Sequence, residues 1–191
     1  MDPRAAHTQS VLHAAVLELA AERPITDITV IDIISLAGVN RSSFYQHFVS
    51  REELLAAALE QIEIEMAHAD EPVVITDATQ PPAELVRFMR HFAANAALYR
   101  GVFGPRGSAL VTARVRARML GFVRAGMQIS PEPITQAELP LDIAAAGTSG
   151  ALLGVVEAWI AQDPFPAPEV AAGWMWQILG PGRMWGAAAT S

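Results

Sequence analysis

The chain has 191 residues, 13 Lys+Arg against 20 Asp+Glu, no cysteine, and a formal charge of -7. At roughly 100–200 residues per domain, this length allows one full domain or a small domain joined to a larger one, and 52% apolar with 17% charged residues excludes a disordered chain. Without cysteine there is no disulfide scaffold, thiolate zinc site, iron–sulfur cluster or thiol nucleophile.

The longest run of apolar and small residues, Ile143 to Val156, is 14 residues and lies between Asp142 and Glu157, whereas a membrane span needs about 20. Asp2, Arg4 and a polar stretch begin the chain and Glu18 interrupts its first apolar run, which is not a signal-peptide pattern. These features predict a soluble cytoplasmic protein with no membrane partner.

In chain order, Leu12, Ala15, Val16, Leu19 and Ala20 form one apolar face of a helix over Thr8 to Arg23, which Pro24 ends. Thr29 before an apolar run, with Asp32 three residues on, predicts a capped helix start. Val30, Ile33, Ile34 and Ala37 continue it as a short stripe, and Gly38 stops it. Asn40 caps a second short helix, Arg41 to His47. Ser50 with Glu53 three residues on is a capping box for a long fourth helix, with Leu55, Ala58, Leu59, Ile62 and Met66 on one face. Two short helices joined by a tight turn containing Gly fit a helix-turn-helix and a plain helical bundle equally well. From Asn40 to Arg51 there are two arginines, one histidine and no acid, a local charge suited to phosphate although the net charge is not.

Residues 69–82 read as a connector in which Val73 to Thr76 has no strand to pair with. Helix-like runs follow at Ala83 to Tyr99, Ser108 to Gln128, Pro140 to Gln162 and Pro168 to Leu179, separated by Pro/Gly breaks.

Residues 8–66 resemble the DNA-binding domain of the TetR family of bacterial transcriptional regulators, most of all over Thr29 to Leu55. The Ala37-Gly38-Val39 turn, the Phe44-Tyr45-Gln46-His47-Phe48 segment and the Ser50-Arg51-Glu52-Glu53-Leu54 helix start carry the resemblance. The implied fold is all-α, about nine helices in total: a three-helix head over residues 1–50, and a helical ligand-binding and dimerisation domain over 51–191, with helix 51–68 connecting them. The resemblance implies that the third helix enters the major groove, with Arg41, Ser42 and Gln46 toward base edges. Thr29, Ser43, Tyr45, His47 and Arg51 are the implied phosphate contacts, and Phe44 and Phe48 hold the third helix inward.

For the second domain the resemblance implies a homodimer through the last two long helices. Gly147, Ala151, Gly154 and Ala158 form a stripe of small residues that admits a second helix closely, and Trp174, Ile178 and Trp185 supply large apolar anchors. The implied effector pocket takes its candidates from Phe88, Met89, Phe92, Phe103, Met119, Phe122, Val123 and Trp159, which serve equally as plain core. Between Leu85 and Pro131 stand eight arginines (Arg87, Arg90, Arg100, Arg106, Arg114, Arg116, Arg118, Arg124) and no acid. They either favour an anionic ligand or form a solvated face paired with acids from elsewhere.

No P-loop, dinucleotide glycine pattern, His-Glu-x-x-His or Gly-x-Ser-x-Gly is present, so neither an enzyme nor a cofactor is expected. His7 and His13 share no helical face, and Glu60, Glu63 and His68 lack the Glu-x-x-His spacing of a di-iron bundle. The expected function is a ligand-responsive regulator, most simply a repressor, acting as a homodimer on a pseudo-palindromic DNA operator with a small-molecule effector. The alternative is a helical dimer that binds small molecules or proteins and has a degenerate DNA-binding head.

Overall fold

Proline and glycine punctuate the chain in the computed structural model, which describes residues 3–67, 80–129 and 139–179. The described residues form nine α-helices: α1 Pro3–Glu22, α2 Val30–Ala37, α3 Arg41–His47, α4 Arg51–Ala67, α5 Ala83–Ala94, α6 Ala96–Phe103, α7 Ala109–Ile129, α8 Leu141–Ile160 and α9 Pro168–Leu179. A 3-10 turn, Ile25–Asp27, follows α1, and no strand occurs among the described residues. The structure is thus all-α, as the periodicity predicts. Val73 to Thr76, Trp185 and the side chain of Met66 lie outside the described residues.

Three local differences from the sequence reading have physical causes. First, α1 begins at Pro3, five residues before the expected start at Thr8; a proline's missing N–H costs nothing in a first turn. Second, the run from Ala83 to Tyr99 is two helices that meet at Asn95. Asn side chains compete with helical backbone bonding, and no Gly or Pro marks the break. Third, the helix after that break runs on through Gly101 to Phe103.

The chain divides into two compact units. The first comprises residues 1–69 and 95–115, the second residues 70–94 and 116–191. In the first unit α1 packs against α4, α2, α6 and α3. Leu12, Val16, Ile28, Ile33, Leu54, Leu55 and Leu59 are buried there, each stabilising by about 1.5–3 kcal/mol relative to exposure. α6 adds Leu98, Tyr99 and Val102. The Tyr99 hydroxyl donates to Glu63 Oε1 at 3.2 Å, which gives a buried phenol the partner it needs. Beyond α6, Arg106 pairs with Asp27 of the 3-10 turn, and the Thr26 hydroxyl donates to the Arg106 carbonyl at 3.3 Å.

In the second unit α5 turns Leu85, Phe88, Met89 and Phe92 inward, a helical i, i+3, i+4, i+7 face, and packs against α9 and α8. Trp159 is buried, its Nε1 donating to the Pro166 carbonyl at 2.9 Å and its ring meeting Phe165 edge-on at 5.2 Å. Acids from other elements meet several of the arginines: Arg90 with Glu169 at 2.7 Å, Arg116 with Glu157 at 3.2 Å and Arg124 with Asp142 at 3.1 Å. Exposed pairs of this kind contribute little to stability, and they favour the solvated-face reading of the arginine-rich stretch.

By length and composition alone α8 is apolar enough to cross a membrane, although its uninterrupted apolar run is shorter than a span. It packs on α9 and α5. Only 39% of its most apolar stretch is buried within the chain, so much of its apolar surface faces outward.

Candidate nucleic-acid interface

The α2–turn–α3 segment is built from local bonds. Thr29 Oγ1 accepts from the Asp32 N–H at 3.1 Å, and Asp32 Oδ2 accepts from the Thr29 N–H at 2.8 Å. This reciprocal cap satisfies two donors that a helix start leaves open. Those bonds hold the Asp32 carboxyl below the usual carboxylate range, first through the Thr29 backbone N–H, then the Thr29 hydroxyl, with Arg23 adding to them. Gly38 ends α2 at φ 67, ψ 27, the left-handed region that costs a residue with Cβ free energy. From there Asn40 starts α3, its Oδ1 accepting from the Ser43 N–H at 2.8 Å and from the Ser42 hydroxyl at 2.6 Å.

α3 turns Phe44 inward, and Phe48 just beyond it is also buried. The Phe48 ring lies 5.6 Å from His13 of α1. The opposite side of α3 presents Arg41, Ser42, Tyr45 and Gln46 to solvent, while Ser43 and His47 are half-buried at its edges. The Arg41 guanidinium sits 5.6 Å from the Tyr45 ring centre, one helical turn away, a cation–π contact worth about 0.5–1 kcal/mol when exposed. Tyr45 is 48% exposed. Arg41 and His47 are the only basic side chains between Ile25 and Ser50.

The other expected DNA contacts are tied within the head. Thr29 is exposed but serves as the α2 cap. Arg51 directs Nε to Glu52 Oε1 at 2.9 Å and Nη1 to the Ile28 carbonyl. Burial alone pushes the Glu52 carboxyl up, but the hydrogen bond from Arg51, the helix-start backbone and the Arg51 charge together bring it below its ordinary value. Arg23 pairs with Asp32 at 3.1 Å. Sequence spacing did not show these pairings, because residues from α1, the α1–α2 connector and the start of α4 meet only in the fold.

The expected effector-pocket residues fall into three groups. Phe88, Met89, Phe92, Met119, Val123 and Trp159 are buried residues of the second unit, and the Phe88 and Phe92 rings lie 4.9 Å apart. Phe103 belongs to the first unit, stacked on Tyr99 at 5.9 Å. Phe122 is 53% exposed. The apolar face of α7 runs through Val115, Met119 and Val123, and Phe122, one position short of Val123, is turned about 100° away from it. A groove of about 350 Å³ in the second unit is lined by other residues: Gln80, Pro81, Val86, Glu169, Gly173, Trp176 and Gln177.

The residues expected at a dimer interface lie on outward faces. Gly147, Gly154 and Ala158 of α8 are exposed and Ala151 is half-buried. On α9, Val170, Trp174 and Ile178 follow one another at four-residue spacing, with Trp174 39% and Ile178 61% exposed.

A capped short helix, a left-handed glycine turn and a second capped helix with a polar outer face define a helix-turn-helix DNA-binding domain. Residues 11–58 match the family model of bacterial regulatory proteins of the tetR family. No curated protein sequence matches the chain. Among solved structures, the chain is similar to a TetR transcriptional regulator from Streptococcus agalactiae 2603V, with 22% identity, a TM-score of 0.67, and 94% of this chain and 97% of that one covered. A TetR-family regulator from Syntrophomonas wolfei shares 19% identity at a TM-score of 0.66, covering 96% of this chain and 98% of that one. The dihydroxyacetone kinase operon activator DhaS shares 18% identity at a TM-score of 0.62, covering 90% and 93%. At these identities the likeness speaks to the fold.

Proposed function

We propose that this regulator acts as a homodimeric, effector-controlled repressor on a pseudo-palindromic operator in the cytoplasm. Its functional division is a DNA-binding domain over residues 1–50 and an effector and dimerisation domain over 51–191. The observation that carries the DNA-binding part is the outer face of α3, where Arg41, Ser42, Tyr45 and Gln46 are exposed together. Arg41 pairs with guanine and Gln46 reads an adjacent edge, while Ser43, Tyr45 and His47 donate to phosphate. The outward α8 stripe and the α9 row of Val170, Trp174 and Ile178 support a second copy as partner. Two heads about 34–36 Å apart then match two half-sites. An apolar effector among Phe88, Met89, Phe92, Met119, Val123 and Trp159 shifts the population off DNA by binding better to the dimer whose heads are wrongly spaced. Repression is the simpler sign; the fold is equally that of DhaS, described as an operon activator.

One observation favours the second reading, a dimer with a degenerate head: Arg23 and Arg51 are both matched by acids of the head itself. Selection from a pool of random duplexes at several salt concentrations decides between them. A pseudo-palindromic winner supports the regulator. Weak binding that vanishes near physiological salt and selects no sequence refutes it.

A further inference from the structure

The geometry points to Arg51 being a positioning residue that pins the start of α2 to the start of α4, in place of a phosphate contact; this rests on the DNA-binding reading above. Arg51 is the first residue of α4, and its side chain is only 28% exposed. It spends its donors inside the head, Nε on Glu52 and Nη1 on the carbonyl of Ile28. Ile28 is fully buried and directly precedes Thr29, the cap of α2. That carbonyl belongs to the short α1–α2 connector, and an unmatched acceptor there would cost free energy. The rest of the α4 start is equally fixed. Ser50 Oγ accepts from the Glu53 N–H at 3.1 Å, and Glu53 Oε2 accepts from the Val49 N–H at 2.8 Å. Arg51 therefore projects from a rigid turn toward the connector, with its charge answered by Glu52. N–H groups on different edges of one planar guanidinium meet two different acceptors, an arrangement that the compact ammonium of Lys does not reproduce. What the clamp positions is α2, which packs on α3 and so sets how the outer face of α3 meets a groove.

Arg51→Gln and Arg51→Lys in the full chain test this through melting temperature and through DNA affinity across salt, measured at a temperature where circular dichroism shows each variant folded. For Arg51→Gln the clamp predicts melting lower by roughly 5 °C. It also predicts about tenfold weaker binding to every duplex, from a misplaced α2, with the slope of log affinity against log salt unchanged. Arg51→Lys recovers part of the melting temperature. A lost phosphate contact behaves otherwise, lowering the slope by about 1 with melting unchanged, and that result overturns the inference. If Arg51→Gln does not fold, Arg51→Lys decides: melting below the parent supports the clamp, and melting equal to the parent overturns it. If the parent protein selects no DNA sequence, the regulator reading fails, and the melting comparison still decides the clamp.

Discussion

Gly38→Ala isolates the contribution of the turn that joins α2 to α3. Gly38 sits at φ 67, ψ 27, with its N–H donating to the Ile34 carbonyl. A Cβ built there meets nothing within 4 Å, so steric crowding adds nothing and the cost is purely conformational. Holding an L-residue in the left-handed region costs roughly 1–2 kcal/mol, and a stiffer unfolded chain returns about 0.4–1 kcal/mol of that. The net loss is about 1 kcal/mol, a fall of roughly 2–4 °C in melting temperature for a chain of this size. Gly38→Asn should lose less, because Asn tolerates this region. Gly107→Ala is the contrast: its Cβ would lie 2.1 Å from the Val102 carbonyl oxygen and 3.0 Å from that of Gly101, so backbone must move and the loss should exceed that of Gly38→Ala. Urea denaturation followed by circular dichroism reads all three. If Gly38→Ala is as stable as the parent, or Gly38→Asn is no milder than Gly38→Ala, the conformational account of the turn is wrong.

Arg41→Ala should redistribute preference among half-sites, with about 1–3 kcal/mol lost at one base position. Tyr45→Phe should weaken all sites alike by about 0.5–1.5 kcal/mol; competition binding on a panel of duplexes separates the two, and a uniform loss for Arg41→Ala refutes its base-reading role. His13 Nε2 is buried with no hydrogen-bond partner among the described residues, and burial lowers its pKa below the ordinary 6.5. The fold thus prefers the neutral imidazole: the stability is present above about pH 6.5 and is lost as pH falls from there through the folded-state value. Urea midpoints between about pH 7.5 and 5.5 should fall less steeply in His13→Leu than in the parent; parallel slopes would remove His13 as a cause. Trp174→Glu places a charge on the outward row of α9 and should convert a dimer to a monomer in sedimentation at micromolar concentration, with its circular dichroism retained. An unchanged sedimentation coefficient argues against that face.

The helix-turn-helix was legible because its determinants are local. Thr29 with Asp32, Gly38, and Asn40 with Ser43 lie within three residues of their partners or act alone, and each behaves as its residue type dictates. The α9 limits, Pro168 to Leu179, were legible for the same reason. Roles set by distant partners were not. Arg51 meets a carbonyl 23 positions away, and Arg106 meets Asp27 79 positions away; no spacing rule links them. The break at Asn95 carried no Gly or Pro to announce it. Phe122 has the composition of a core residue, but its position on the turn of α7 points it outward.

The first unit is discontinuous in sequence: α6 and the start of α7 complete a group of helices begun some ninety residues earlier. During synthesis, which runs from the N-terminus, α1 to α4 emerge first. Until α6 and Arg106 are available, the side of α1 that α6 covers has no partner, and Asp27 lacks its ion pair. Closure of the DNA-binding unit therefore waits on a contact of high sequence separation, the kind that slows folding. A fragment cut after α4 keeps every residue proposed to touch DNA yet lacks the helix against which its first helix rests.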